Sequence, residues 1–350
     1  MSSKDSKSYK HIQMLLRTFL ALAIIGGLIW FRRDQFRQCL QAFDYKVVIP
    51  AAFFYFAHMT VCAWRWLKLA QLQGFRLTGM EALSLTMQGN FFSLVIPGGA
   101  IGGDVVKMGL LARRSTPGSR AEGIFTVFMD RLVGMIALFI LTIDMLLQFA
   151  GKLPDMQIGD LTLSKTVLNN GAWLLILLCA GGIFCGTAIF FHRTLRKLPI
   201  VSKLFDLADR RFNRIISRLT AMADMYAKYP GTLTILTVIS IFFVHLMTTL
   251  PLFFTLAGAG VEIDIHTSII IASAATVGNV AGLLPFTPGG IGIRDLAVII
   301  LLCTNGINPS VAEISQLMAT GITVLCYLAC GLFFIFAPAQ KSFYTQKTTE

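Results

Sequence analysis

The 350-residue chain is 55% hydrophobic and only 14% charged, with a mean hydropathy of +0.70. Soluble domains carry about 25% charged residues, and no fold of this size buries that much apolar surface with water all round, so the composition excludes a soluble globular domain. The formal charge of +12 lies in a few basic clusters, the pattern that orients membrane segments rather than one that grips nucleic acid.

Apolar runs long enough to cross a bilayer, about 20 residues, are predicted at 14–31, 47–64, 121–149, 170–191, 231–257 and 311–337. The first is too long for a signal peptide, lacks a small-residue cleavage site and is followed by further spans. Two other apolar stretches, 80–112 and 268–303, are interrupted by glycine and proline near their middles. Basic residues place the N-terminal tail (Lys4, Lys7, Lys10, Arg17), a loop after the second span (Arg65, Lys68, Arg76), the 107–120 segment and a 192–229 loop in the cytoplasm, and the Lys/Arg-poor segments 151–168 and 258–267 outside. Arg32, Arg33 and Arg37 run against this alternation.

With that orientation 80–112 starts and ends in the cytoplasm, and 268–303 starts and ends outside. The expected fold is therefore all-α: a polytopic membrane helical bundle, one domain over 1–350, with about six full spans and two oppositely oriented re-entrant broken-helix hairpins. Both termini are expected in the cytoplasm and the protein in the inner or plasma membrane. The alternative is that each broken stretch spans twice, but half-helices of about 9–17 residues are short for that. Within 192–229, Leu204, Ala208, Phe212, Ile215, Leu219, Met222 and Tyr226 recur every three or four residues among basic ones. This predicts an amphipathic linker helix that lies on anionic lipid or packs against the protein.

The two broken stretches resemble each other. The first reads GNFFSLVIPGGAIGGDVVKMGLL from Gly89, the second GNVAGLLPFTPGGIGIRDLAVIILL from Gly278. Each opens on Gly-Asn (Asn90, Asn279), passes Pro-Gly-Gly (Gly98 and Gly99; Gly289 and Gly290) and reaches an aspartate seven residues after the proline (Asp104, Asp295). Paired glycine-rich breaks in two halves of a membrane chain point to a transport site. Backbone freed from helical hydrogen bonds cannot face lipid, and a helix restarting in mid-membrane offers unpaired N–H groups and a positive dipole end to an anion. Lys107 and Arg294 add full charge beside the breaks. The blander alternative is that the glycines permit close packing and the aspartates cap half-helices.

Asp130 and Arg131 fall inside an apolar segment, either lining a functional cavity or snorkelling to the interface. His58 and His245 read as packed, hydrogen-bonded residues. Glu262, Asp264 and His266 form a small outer cluster. The seven cysteines include no CxxC pair, which argues against a disulfide framework or zinc site and for apolar filler. No metal or cofactor is expected. Neither HExxH, GxSxG nor GxxxxGK[ST] occurs.

The stretch SLVIPGGAIGGDVVKMGLLARR with the following FMDRLVG, and GLLPFTPGGIGIRDLAVIILL from Gly282, resemble the flippase-like membrane domain of lysylphosphatidylglycerol synthases, the multiple peptide resistance factor family. The resemblance implies movement of a phosphate-bearing lipid between leaflets, with matching roles for Asp104, Arg131, Arg294 and Asp295. It also implies, because the chain ends soon after its last span, that the soluble lysyl-transferase domain is absent and the protein is not an enzyme. Phospholipid, aminoacylated phosphatidylglycerol and polyprenyl-linked glycolipid are the candidate substrates, with membrane lipids and a separate synthase or transferase as partners. A small-solute or ion transporter, or a membrane subunit working with a separate lipid-modifying enzyme, is the alternative reading.

Overall fold

The computed structural model describes residues 41, 43–96, 100–158, 161–190, 215–283 and 292–336. Over these the chain forms α1 (Val48–Leu72), α2 (Gly79–Val95), α3 (Ala100–Arg114), α4 (Arg120–Leu147), α5 (Lys165–Ala188), α6 (Ile215–Ala227), α7 (Pro230–Gly258), α8 (Ile265–Ala281), α9 (Ile293–Thr304), α10 (Pro309–Ala329) and the short α11 (Leu332–Ile335). One small antiparallel hairpin, β1 (Met156–Ile158) and β2 (Leu161–Leu163), interrupts the helices. It was not expected within 151–168. Five helical segments are long and apolar enough to cross a membrane: Tyr45–Leu72, Arg120–Leu147, Lys165–Ala188, Pro230–Gly258 and Pro309–Ile335. They match five of the six expected spans, and the sixth, 14–31, lies outside the described residues. The protein is an all-α membrane helical bundle. α5 illustrates the solvent it requires, since Trp173, Leu174, Leu177, Leu178 and Phe184 all point outward from the protein, a face only lipid covers favourably.

Local chemistry sets the helix starts. Thr78 and Glu81 close a reciprocal capping box on α2. Ser164 caps α5 and Asn308 caps α10, followed by Pro309 in the first turn. Asp264 caps α8 by accepting the Thr267 N–H at 2.7 Å, a bond that holds its exposed carboxyl below the usual carboxylate range. The outer acidic cluster therefore contributes a helix cap.

The broken stretches fold as helical hairpins, α2 with α3 and α8 with α9. At 1.5 Å per residue, α2 and α3 are about 25 and 22 Å long and α9 about 18 Å, short of a hydrocarbon core of about 30 Å. Helix α4 shows their relative direction. The open end of the first hairpin packs beside the start of α4, with Ala82, Leu85 and Leu111 clustered with Val127. The open end of the second packs beside its finish, where Ile270, Ile271, Leu301 and Leu302 share a core with Leu146. The two hairpins thus enter the bundle from opposite ends.

In each hairpin the glycine of the Gly-Asn pair faces the returning helix. A methyl group at Gly278 would meet Val298 Cγ2 at 2.5 Å and the Arg294 carbonyl at 3.1 Å. In the first hairpin the contact is tighter: a Cβ on Gly103 would fall 2.2 Å from the Gly89 carbonyl oxygen and 2.1 Å from Ser93 Oγ. The hydroxyl can rotate, but the carbonyl is backbone. Gly103→Ala is therefore expected to destabilise the protein by about 1–3 kcal/mol through overpacking. Gly109→Ala, on the same helix with open space around the new methyl, should be neutral or gain up to about 1 kcal/mol of helix propensity. Thermal unfolding in detergent compares the two, and equal effects would count against the close crossing.

Helix α6 settles part of the linker expectation. Met222, Ala223 and Tyr226 are buried against Leu69, Phe125 and Met129, while Leu219 is exposed, contrary to its place in the predicted apolar stripe. Tyr226 Oη donates to the Leu69 carbonyl and Gln73 Nε2 donates to the Met222 carbonyl. Residues 215–227 therefore pack on the protein. Leu204, Ala208 and Phe212 lie outside the described residues.

Candidate functional site

Asp104, Lys107, Asp130 and Arg131 converge where α3 crosses α4, joined by a residue assigned elsewhere from sequence. Arg65 is not in a cytoplasmic loop. It lies inside α1, which continues to Leu72 because Trp66, Leu67, Leu69 and Ala70 are all buried by neighbouring helices. Arg65 Nε donates to Asp130 Oδ1 at 2.7 Å, and its Nη1 donates to Ser240 Oγ at 2.9 Å. Gly134, in the FMDRLVG stretch, makes room for this guanidinium, because a Cβ there would lie 3.0 Å from Arg65 Nη1. Ser240 stands at the start of a π-helical turn, Ile241–His245, in α7, a local widening common at functional sites. In the same turn His245 Nε2 donates to the Gly134 carbonyl at 2.9 Å, so His245 is a packed, hydrogen-bonded residue.

Lys107 approaches the other oxygen of the same carboxylate, with Nζ 3.9 Å from Asp130 Oδ2. It also sits 3.8 Å from the centre of the Trp66 ring, whose face attracts a cation. Trp66 Nε1 donates to Thr126 Oγ1, which fixes the ring. Next along α4, Arg131 grips Asp104 with both Nε and Nη2, the latter at 2.8 Å. The Asp130 side chain is only 9% exposed, Lys107 5% and Arg65 6%, whereas Arg131 is 43% exposed. Among the described residues the cluster therefore holds three cations with two carboxylates, and the most exposed of these cations is the Arg131 guanidinium. Asp130 lines the interior; it does not snorkel.

The second hairpin carries a smaller counterpart. Asp295 accepts the Gly292 N–H at 2.9 Å, at a glycine held at φ +96°, a conformation that costs side-chain-bearing residues energy. It also accepts from Gln316 Nε2 at 2.7 Å and Thr320 Oγ1 at 2.8 Å, with Arg294 Nε at 3.4 Å. Arg294 Nη2 donates to Thr320 Oγ1 at 2.9 Å. Asp295 is thus the half-helix cap that the blander reading allowed, whereas Asp104 is occupied by an arginine from another helix. Arg294 lines a cleft with Tyr55, Thr248, Asn279, Gln316 and Thr323; about 60 Å³ of it is open to water-sized molecules, room for a few waters. Asn279 donates to Thr248 Oγ1 at 3.1 Å on its wall.

Helix α1 connects the two sites. Tyr55 faces the Arg294 cleft and Arg65 the Asp130 cluster, ten residues and so about 15 Å apart along the axis. Tyr55 packs against His58 and Tyr327, with ring centres at 4.5 and 6.0 Å.

Of the residues expected from sequence, Lys107, Asp130, Arg131 and Asp104 come together, Arg294 and Asp295 form the second group with Asn279 near it, and Asn90 is half-buried in α2 beside the Gly89 crossing. Gly98, Gly99, Gly289 and Gly290 lie outside the described residues. Sequence reasoning missed Arg65, Trp66, Ser240, Gln316 and Thr320. A signal for Arg65 was present, since His58, Cys62, Arg65 and Leu69 follow helical spacing on one face of α1.

Among known families, the chain matches the one described as Lysylphosphatidylglycerol synthase TM region over residues 18–331, which takes in both hairpins and every residue of the two sites. In comparisons with curated proteins and with solved structures, nothing matches. The match spans nearly the whole chain and agrees with the multi-pass helical architecture: this protein belongs to the lysylphosphatidylglycerol synthase transmembrane-region family.

Proposed function

We propose that the protein translocates a phosphate-bearing lipid between the leaflets of the cell membrane, with both termini in the cytoplasm, and that it does so as a transporter without catalysing a chemical conversion. The observation that carries this reading is the charge balance of the first cluster. Charged groups inside a membrane bundle are costly and are kept where a substrate path needs them. Among the described residues Arg65, Lys107 and Arg131 face Asp104 and Asp130, a cation-rich set suited to an anionic head group. Two hairpins entering from opposite ends are the architecture in which access alternates. The acyl tails stay in lipid while the head group passes, driven by its own gradient or by an ion gradient. A separate lipid-modifying enzyme would supply an aminoacylated or glycosylated substrate.

One observation favours a second reading. The cleft at Arg294 has room for a few waters and is too small for a lipid head group, a size suited to a small anion or solute. The deciding experiment reconstitutes the protein in liposomes with fluorescent phosphatidylglycerol, lysylphosphatidylglycerol, phosphatidylethanolamine or a polyprenyl-phosphate sugar, and follows each probe by quenching from outside. Movement of at least one phosphate-bearing lipid, lost in Arg294→Ala, is the expected result. Anion flux with no lipid movement would replace it with the second reading.

A further inference from the structure

Separate from the ion pairs, three sulfur atoms from three different helices meet in the core. Cys330, at the end of α10, is fully buried, as are Met59 on α1 and Met87 on α2. The Cys330 thiol points at both thioethers, with Sγ 3.3 Å from Met87 Sδ and 3.7 Å from Met59 Sδ. Cys326, one helical turn earlier, is buried in the same cluster, whose other members include Ala51, Tyr55 and Ile322. No group of three or more His, Cys, Asp and Glu suited to a metal occurs among the described residues; here the donors would be one thiolate and two thioethers.

We propose that Cys330, Met59 and Met87 form a binding site for a soft monovalent d10 cation, copper(I) or its surrogate silver(I). Thiolate and thioether donors select soft ions. Three sulfurs about 2.3 Å from a shared ion stand about 4 Å from each other in a trigonal arrangement, so the observed 3.3 and 3.7 Å separations need to open by less than about 1 Å. Charge selects the ion. Binding displaces the thiol proton to solvent and leaves one thiolate, two neutral thioethers and one unit of positive charge, which sum to zero. A neutral centre is tolerable in this apolar surrounding, whereas a divalent ion leaves an uncompensated charge there. The three ligands come from the first hairpin, from α1 and from α10, so the ion would tie the hairpin's α2 to the two long helices it packs against.

The test loads full-length protein, purified in detergent without oxygen, with copper(I) in the presence of a competing chromophoric copper(I) chelator, and measures metal retained per chain after desalting. One ion per chain is expected for the natural sequence, with a three-sulfur shell by X-ray absorption. Met87→Leu and Met59→Leu keep every cysteine and nearly conserve volume, so folding should survive. Each should weaken retention by roughly tenfold or more, given that even outer-shell changes cost about 10–100-fold in metal affinity. Cys330→Ser should abolish retention. A natural chain that yields all its copper to the chelator, or Met→Leu variants that retain copper as well as the natural chain does, would overturn the site and leave only sulfur packing in a core.

Discussion

Asp130→Ala is expected to destabilise the protein by about 3–5 kcal/mol, the cost of breaking a buried ion pair by removing one partner. The carboxylate is shared: Arg65 takes Oδ1 at 2.7 Å and Lys107 stands 3.9 Å from Oδ2. Removing it strands two cations whose side chains are only 6% and 5% exposed. Ser240 still accepts from Arg65 and the Trp66 ring still faces Lys107, but a hydroxyl and a ring face do not neutralise two charges. The penalty therefore belongs to the cations left behind, and this gives the prediction its control. In Asp130→Ala/Arg65→Met/Lys107→Met, where no buried charge is orphaned, most of the stability should return. Denaturation in mixed micelles, followed by tryptophan fluorescence, measures both variants. A triple variant no more stable than the single one would mean that Asp130 acts through packing.

The spans were legible because hydrophobic length is a direct readout of the solvent they occupy: 121–149 was expected and Arg120–Leu147 is found. The hairpins were legible because their breaks repeat, and the contact of Gly278 with α9 and of Gly89 with α3 gives that repeat a physical cause. Arg65 was misread for an equally physical reason. Basic residues at the end of an 18-residue apolar run look like a topology signal, and it is burial by α2, α3, α4 and α7 that keeps that segment helical and dry. Partner choice was not legible either. Nothing local says that Arg131 takes Asp104 while its neighbour Asp130 takes Arg65; that follows from the crossing of α3 over α4, with α3 held close to α2 by the glycines at 89 and 103. The β-hairpin did leave a mark, Met156–Ile158 and Leu161–Leu163 alternating around a Gly-Asp pair, the pattern of a two-residue turn.

The two aspartates that matched in sequence differ in what they hold. Asp104 is bound by a half-exposed side chain on another helix, whereas Asp295 is bound by its own helix start, with the neighbouring Arg294, and by two polar groups of α10. An incoming anion can draw Arg131 away from Asp104 by offering the same bidentate geometry. The cation beside Asp295, Arg294 at 3.4 Å, is its own neighbour in α9. In the proposed cycle the first hairpin thus supplies the exchangeable charge, and the second supplies a fixed wall with Arg294 projecting from it.

Arg294→Ala is accordingly expected to separate function from folding. Losing one charged contact made during passage costs about 1.5–3 kcal/mol, which corresponds to a rate about 10- to 100-fold slower. Stability should fall less than in Asp130→Ala: Asp295 loses a cation whose Nε stands 3.4 Å away, a longer contact than the 2.7 Å Arg65–Asp130 pair, and it keeps the Gly292 N–H, Gln316 and Thr320. Arg294→Lys sharpens the test. A lysine restores the charge but lacks the planar fork that reaches both Asp295 and Thr320, so it should recover part of the rate if charge matters and little if geometry does. The measurement pairs head-group translocation in proteoliposomes with thermal unfolding of the same preparations. A folded Arg294→Ala protein that translocates at the natural rate would remove the second hairpin from the substrate path and leave the Arg65–Asp130–Lys107 cluster with Arg131 as the whole of the anion site.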